Sequence, residues 1–185
     1  CYTDNEVETQ LQQRHFAYIP LDAFAPILSD LISLRNVMGL RSPIHTLARL
    51  INPFDAKATL QSIFHPAYRS SHQQAAFQLG YKNSAVIKGE GGEFERNPDA
   101  KTLICGIKNG ELYEHELPKL TPDRSPTEEE LDLESFKQIW LGQQNHDYGE
   151  LAVTETIGIA LYTMGEAQNF EEAMLKAKQL WQNRN

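Results

Sequence analysis

A chain of 185 residues, 41% of them hydrophobic, can enclose one hydrophobic core, and no run of eighteen or more apolar residues is present to span a membrane. The two cysteines, Cys1 and Cys105, lie far apart and lack metal-ligand spacing, so a reduced, cytoplasmic protein is the simplest expectation. A formal charge of −8 argues against nucleic acid for the chain as a whole, yet residues 31–89 carry seven cations against Asp55 alone, which keeps a local basic field open.

Taken in order, residues 1–15 are polar and read as a short helix or an arm. The chain begins with Cys1 rather than Met and has no basic and apolar leader, which argues against a signal peptide and suggests a chain cut from something longer. Residues 16–26, with Phe16, Tyr18 and Phe24 near two prolines, read as a packed loop. Ile27, Leu31, Leu34 and Met38 recur at the spacing of one helix face, and Gly39 is the expected stop. A turn at Arg41-Ser42-Pro43 leads into an apolar run over 44–51, which ends at Asn52-Pro53.

Arg35 falls among the apolar positions of that helix, and Arg49 interrupts Leu47, Leu50 and Ile51. A guanidinium in such company needs a carboxylate, a phosphate or water, because its desolvation without a partner is costly. An internal salt bridge or a snorkelling stem would satisfy each one singly. Convergence of Arg35, Arg41 and Arg49 points instead to a site for an anion.

Residues 59–64 read as a strand, Ser70 or Ser71 as the cap of a helix running to Leu79, and Ser84–Lys88 as a second strand. Strand, helix, strand in this order implies parallel pairing. The glycine-rich acidic loop 89–98 leaves the end of that strand, where open parallel sheets bind ligands. A solvated turn and a ligand-holding loop are both compatible with its composition. Residues 101–107 and 111–117 flank Asn109-Gly110, a two-residue hairpin signal. Residues 118–126, with three prolines, read as a linker, and Thr127 to Glu130 as a capping box for a helix with Leu133, Phe136 and Trp140 on one face. Residues 151–164 predict a buried helix, and Asn169 with Glu172 caps a last one whose core face is Phe170, Ala173, Met174, Ala177 and Trp181. The expected fold is a single α/β domain over 1–185: a mostly parallel sheet with an antiparallel edge hairpin, flanked by helices.

The run Arg35-x-x-x-Gly39-x-Arg41-Ser42-x-x-His45-x-Leu47-x-x-Leu50-x-Asn52-Pro53 resembles the anthranilate phosphoribosyltransferase signature R-x-x-L-G-x-R-T-x-F-N-x-L-G-P-L-x-N-P, within glycosyltransferase family 3. Met38 stands for Leu, Ser42 for Thr, His45 for Asn, and Ala48-Arg49 for the Gly-Pro pair. Ala25-Pro26-Ile27 replaces the family's His-Pro-Ala, and Thr156 replaces the Asn of its N-A-A-x-A-L-Y helix. The loop 89–95 is similar to the family's G-x-x-G-x-D-E loop, with Phe94 at the Asp position and Glu95 retained. The pyrophosphate-binding G-T-G-G-D and N-x-S-T motifs occur nowhere in the 185 residues. The resemblance is therefore to the C-terminal portion of a divergent member, belonging to the large α/β domain and lacking the N-terminal part.

What the resemblance implies is transfer of phosphoribosyl from phosphoribosyl pyrophosphate to an amine or nitrogen acceptor. Arg35, Arg41, His45 and Asn52 would bind substrate, and Glu95 would be a weak Mg²⁺ ligand in the intact protein. The intact protein would dimerise through an N-terminal helical domain, and this chain alone would be inactive. The alternative is a non-catalytic protein of the same fold that binds nucleic acid through Arg35, Arg41, Arg49, Lys57 and Arg69, as divergent members of the family are known to do.

Overall fold

The computed structural model describes residues 3–40, 42–123 and 132–184. The chain divides into two compact units, Cys1–Asp55 and Ala56–Asn185. The first is helical. Thr3 and Glu6 form a reciprocal capping box at the start of α1 (Asp4–Arg14), satisfying two backbone donors that the first turn leaves open. Short helices follow: α2 (Leu21–Phe24), α3 (Pro26–Ser33) and α4 (Arg35–Met38), which ends at Gly39 with φ +67°. α5 (Ile44–Leu47) runs on as a 3-10 turn over Ala48–Leu50.

The helix expected over 27–38 is thus interrupted at Leu34, and its apolar residues are not packed away. Ile27, Leu34, Val37 and Met38 are exposed, as is Arg35, so this guanidinium is not embedded among apolar neighbours. Phe16 and Tyr18 are about 70% exposed, which corrects the packed-loop expectation for that stretch.

The second unit contains the sheet. β1 (Thr59–Ile63) is followed by a 3-10 turn over Pro66–Tyr68 that feeds α6 (Arg69–Gln78) directly, so neither Ser70 nor Ser71 is a cap. β2 (Ser84–Lys88) pairs in parallel with β1, Thr59 opposite Ser84 and Ile63 opposite Lys88. β3 (Thr102–Lys108) and β4 (Glu111–Leu117) join through Asn109 (φ 53°) and Gly110 (φ 82°), the two left-handed residues that a tight hairpin turn requires. The order is β1-β2-β3-β4, with β3 antiparallel to both neighbours. The sheet is therefore mixed, and its parallel character is confined to β1 and β2. The connection between β2 and β3 contains no helix, so β3 returns antiparallel instead of crossing over.

α7 (Leu133–Trp140) is capped by Asp132, whose carboxylate accepts from the amides of Glu134 and Ser135. The capping box expected at Thr127 to Glu130 lies outside the described residues. Leu133 and Phe136 are exposed, while Trp140 meets Trp181 edge-on at 6.0 Å. α8 (Asp147–Met164) and α9 (Phe170–Gln182) close the fold, the latter capped by Asn169 as expected.

Strand alternation sends Ala85, Ile87 and Ile104 into one cluster with Ile159 of α8 and Phe170 of α9. Each such fully buried branched side chain contributes about 1.5–3 kcal/mol. Phe170 stacks between Tyr162, at 4.0 Å, and His115, at 4.1 Å. Behind the sheet, the buried Gln73 of α6 donates to the carbonyls of Gly106 (2.7 Å) and Tyr113 (2.8 Å). These contacts fix the sheet, and with it the end of β2 from which the candidate site is built.

Candidate functional site

β2 ends at Lys88, and the Gly89 amide continues the parallel ladder by donating to the Ile63 carbonyl at 2.9 Å. A side chain at position 89 is excluded, since a Cβ there would stand 2.1 Å from the Glu93 carbonyl oxygen and 2.2 Å from Ser62 Oγ. The loop then closes on itself. The Glu93 carboxylate accepts from the amides of Glu90 (2.6 Å) and Gly91 (2.7 Å). Burial pushes this carboxyl up, but the backbone donors, with help from Lys88, outweigh burial and hold it below the usual range.

A cavity of about 310 Å³ opens between this loop, the start of α6 and the start of α8. Arg69, Lys88 and Lys101 bring cations to its wall, and Glu90, Glu93 and Glu95 bring carboxylates. Asn97 and Tyr148 add neutral polar groups. Arg69 is half-buried and donates to the Leu103 carbonyl at 3.4 Å, while Lys101 pairs with the exposed Glu116 at 2.9 Å. Lys88 stands 3.9 Å from Glu90, which also accepts from Asn97 Nδ2 at 3.3 Å.

Burial, followed by the charges of Glu93 and Glu90, raises the Glu95 carboxyl above its ordinary value. Burial, then Glu95, Asp99 and Glu90, also raises the Tyr148 hydroxyl, so at neutral pH this phenol is a hydrogen-bond donor. The wall thus offers anion contacts beside carboxylates that can accept hydrogen bonds from sugar hydroxyls.

The stretch after Glu95 is held from beneath. Arg96 is wholly buried and donates to the carbonyls of Asn97, Ala100 and Pro118, with Ala100 at 2.7 Å. Its backbone amide donates to Thr156 Oγ1 on α8 at 2.9 Å. The described part of 118–126 is not a free linker at this point: Leu120 donates to the Pro98 carbonyl at 2.9 Å, and Thr121 to the Asp99 carboxylate.

Of the residues assigned to a site from the sequence, the cavity brings together Arg69 and Glu95. Lys57 is exposed ahead of β1, and its backbone carbonyl accepts from Asn83. Arg35, His45, Arg49 and Asn52 belong to the first unit, where Arg35 is exposed and the other three are half-buried. His45 Nδ1 lies 3.2 Å from the Ser42 carbonyl. Arg41 lies outside the described residues. Sequence reasoning did not assign Lys88, Asn97, Lys101 or Tyr148 to a site. Lys88 was nonetheless legible, because it is the last residue of a parallel strand immediately before a glycine-rich loop.

Both Glu93 oxygens are taken by backbone amides, and Phe94 packs against the core cluster, leaving Glu95 without a neighbouring aspartate. Among the described residues, no group of three or more His, Cys, Asp or Glu is arranged to hold a metal ion. Among them, too, no helix is long and apolar enough to cross a membrane.

The family model described as "Glycosyl transferase family, a/b domain" matches residues 2–183. The chain belongs to this family. An uncharacterised protein of Aquifex aeolicus is 30% identical over 164 residues, 85% of this chain and 52% of that protein. Anthranilate phosphoribosyltransferase of Metallosphaera sedula is 21% identical over 92% of this chain and 51% of its own length, and that of a Polaromonas species 28% identical over 83% and 46%. Among solved structures, anthranilate phosphoribosyltransferase from Thermus thermophilus superposes with a TM-score of 0.71 at 19% identity, over 95% of this chain and 54% of that one. The Saccharomyces cerevisiae enzyme in complex with 4-fluoroanthranilate gives 0.64 at 12% identity, over 97% of this chain and 54% of that one. The chain spans about half the length of the curated relatives it matches. The resemblance to this family is thereby borne out, as a divergent glycosyl transferase chain with the α/β fold of these enzymes.

Proposed function

We propose that this glycosyl transferase chain binds a phosphorylated sugar donor of the phosphoribosyl pyrophosphate type at the carboxyl end of β2. In the intact protein it would contribute that half of a phosphoribosyl transfer site. The supporting observation is the cavity lined together by Arg69, Lys88, Glu90 and Glu95. The two cations contact the phosphates, each hydrogen bond between charged groups being worth about 1.5–3 kcal/mol. Glu90 and Glu95 accept from the ribose hydroxyls, and Tyr148 donates to a phosphate or ring oxygen. Catalysis in such a transfer is mainly orientation and stabilisation of developing charge, which fixed side chains on strand and helix ends provide.

The test is calorimetric titration of phosphoribosyl pyrophosphate into the wild-type chain and into Arg69→Met and Lys88→Met. Each replacement should weaken binding by about tenfold or more. An absence of saturable binding, or binding indifferent to both changes, overturns the proposal. A random oligonucleotide serves as the competing probe. Salt-sensitive binding of that probe, undiminished in both variants, would instead support the nucleic-acid reading built on the exposed Arg35 and Lys57.

A further inference from the structure

Arg96 is 0% exposed, and no described carboxylate forms a close ion pair with it. Its charge is met mainly by carbonyl dipoles. One guanidinium nitrogen donates to Asn97 and Ala100, the other to Pro118, while Nε has no hydrogen-bond partner among the described residues. Burial lowers the affinity of Arg96 for its proton, and Glu155, itself buried on α8, opposes that effect. A fully buried cation with this partner set is a poor choice for stability alone, because an apolar side chain would fill the space without the desolvation cost. What an apolar side chain cannot do is grip carbonyls from two chain segments in a fixed plane, which the forked guanidinium does.

The gripped carbonyls belong to the cavity wall. Asn97 and Ala100 line the cavity, as do their neighbours Lys101 and Thr102. The earlier part of the loop is closed by Glu93, whose two bonds reach only Glu90 and Gly91. From Arg96 onward, order comes from the guanidinium, from the Arg96 amide on Thr156, and from the bonds to Leu120 and Thr121. The side-chain hydrogen bond from Asn97 to Glu90, both of which line the cavity, then ties the two halves of the loop together.

We infer that Arg96 is the positioning residue of this site: by clamping the Asn97 and Ala100 carbonyls to the Pro118 carbonyl, it sets where Asn97 and Lys101 stand against a bound phosphate. Thr156 is its partner on α8, accepting the amide of the same residue. This deepens the proposed phosphate-binding role and rests on it for the identity of the ligand.

The test uses the whole chain in three forms: wild type, Arg96→Lys and Thr156→Val. Lysine keeps the charge but offers its donors from a single nitrogen, without the planar fork that spans the carbonyls of Asn97, Ala100 and Pro118, and valine removes the hydroxyl that accepts the Arg96 amide and donates back to the Ala152 carbonyl within α8. Amide hydrogen exchange is followed for the 96–101 segment and for β2 and β3, and inorganic pyrophosphate is titrated by calorimetry. Arg96→Lys is expected to speed exchange of 96–101 at least tenfold, leave β2 and β3 unchanged, and weaken pyrophosphate at least tenfold. For Thr156→Val the same pattern is expected at about threefold. A merely structural Arg96 would instead speed exchange across the sheet as well, and that result, or an unchanged 96–101 segment in Thr156→Val, overturns the inference. If wild type fails to bind pyrophosphate, the phosphate reading falls, while the exchange experiment still decides whether Arg96 positions the loop. Should Arg96→Lys fail to fold, the localised exchange in Thr156→Val decides alone.

Discussion

Replacing Gly89 by Ala tests whether the loop at the end of β2 is as closely packed as its contacts imply. A Cβ would lie 2.1 Å from the Glu93 carbonyl and 2.2 Å from Ser62 Oγ, and a contact below 3.0 Å is not tolerated. The loop backbone at Glu93 must therefore retreat by about 0.9 Å or more, since the β1 side is fixed by the ladder bond from Gly89 to Ile63. Overpacking of this kind costs about 1–3 kcal/mol, which in a unit of this size lowers the melting temperature by roughly 3–10 °C. The retreat also pulls the Glu93 carboxylate off the amides of Glu90 and Gly91, so ligand affinity should fall further than stability. Gly92 is the control: an added Cβ meets nothing within 4 Å, but φ is +113°, so Gly92→Ala should cost about 1 kcal/mol through backbone strain. Differential scanning calorimetry and phosphoribosyl pyrophosphate titration read the two effects. A Gly89→Ala protein with wild-type melting and wild-type affinity would refute the packing on which the site is built.

Gln73→Leu should cost about 2 kcal/mol in urea denaturation, because it removes both donors that tie α6 to the Gly106 and Tyr113 carbonyls. Glu155 is raised from its ordinary value by burial, despite the opposing charges of Arg96 and Lys178, so folding is favoured by its protonated form. As pH rises from about 4.5 through its folded value this contribution is lost, and the melting temperature of Glu155→Gln should gain on wild type over that window. Titration of Mg²⁺ alone should give weak or undetectable heat, given that Glu93 is committed to amides and Phe94 to the core; tight binding would contradict the reading. If the cations of residues 31–89 bind a random oligonucleotide through four or five phosphates, the log-log salt slope should be about −3 to −4.5, and Arg49→Glu should flatten it; a slope unmoved by that reversal would exclude Arg49 from the contact.

Much of the second unit was legible because its signals are local. The Asn109-Gly110 turn, the Asn169 cap and the core face from Phe170 to Trp181 follow from backbone preference and the 3.6-residue period, and all were found as expected. The parallel pairing of β1 with β2 was legible from the intervening helix. The direction of β3 was not, because nothing in loop 89–101 announces whether the chain crosses over or turns back. Periodicity also failed for α3, α4 and α7, where a correct helix face is exposed: pattern predicts which residues want burial, not whether this chain supplies the surface that buries them. At the site, Glu95 was found by motif, whereas Tyr148 comes from α8, and only the fold brings it to the same cavity.

Arg96 was the least legible residue of all. An arginine between two acids and an asparagine in a glycine-rich loop reads as solvated, and its neighbour Phe94 reads as a lost ligand position. Together they explain one another. A loop that carries paired carboxylates can be ordered by the ion it holds, whereas this loop is ordered from below, with Phe94 packed on the core cluster and Arg96 clamped to three carbonyls. Its shape is then set before any ligand arrives, and binding need not supply the free energy of ordering it. Arg69 and Lys88 line the same cavity as positive groups, and the proposed binding of a phosphorylated sugar would draw on them.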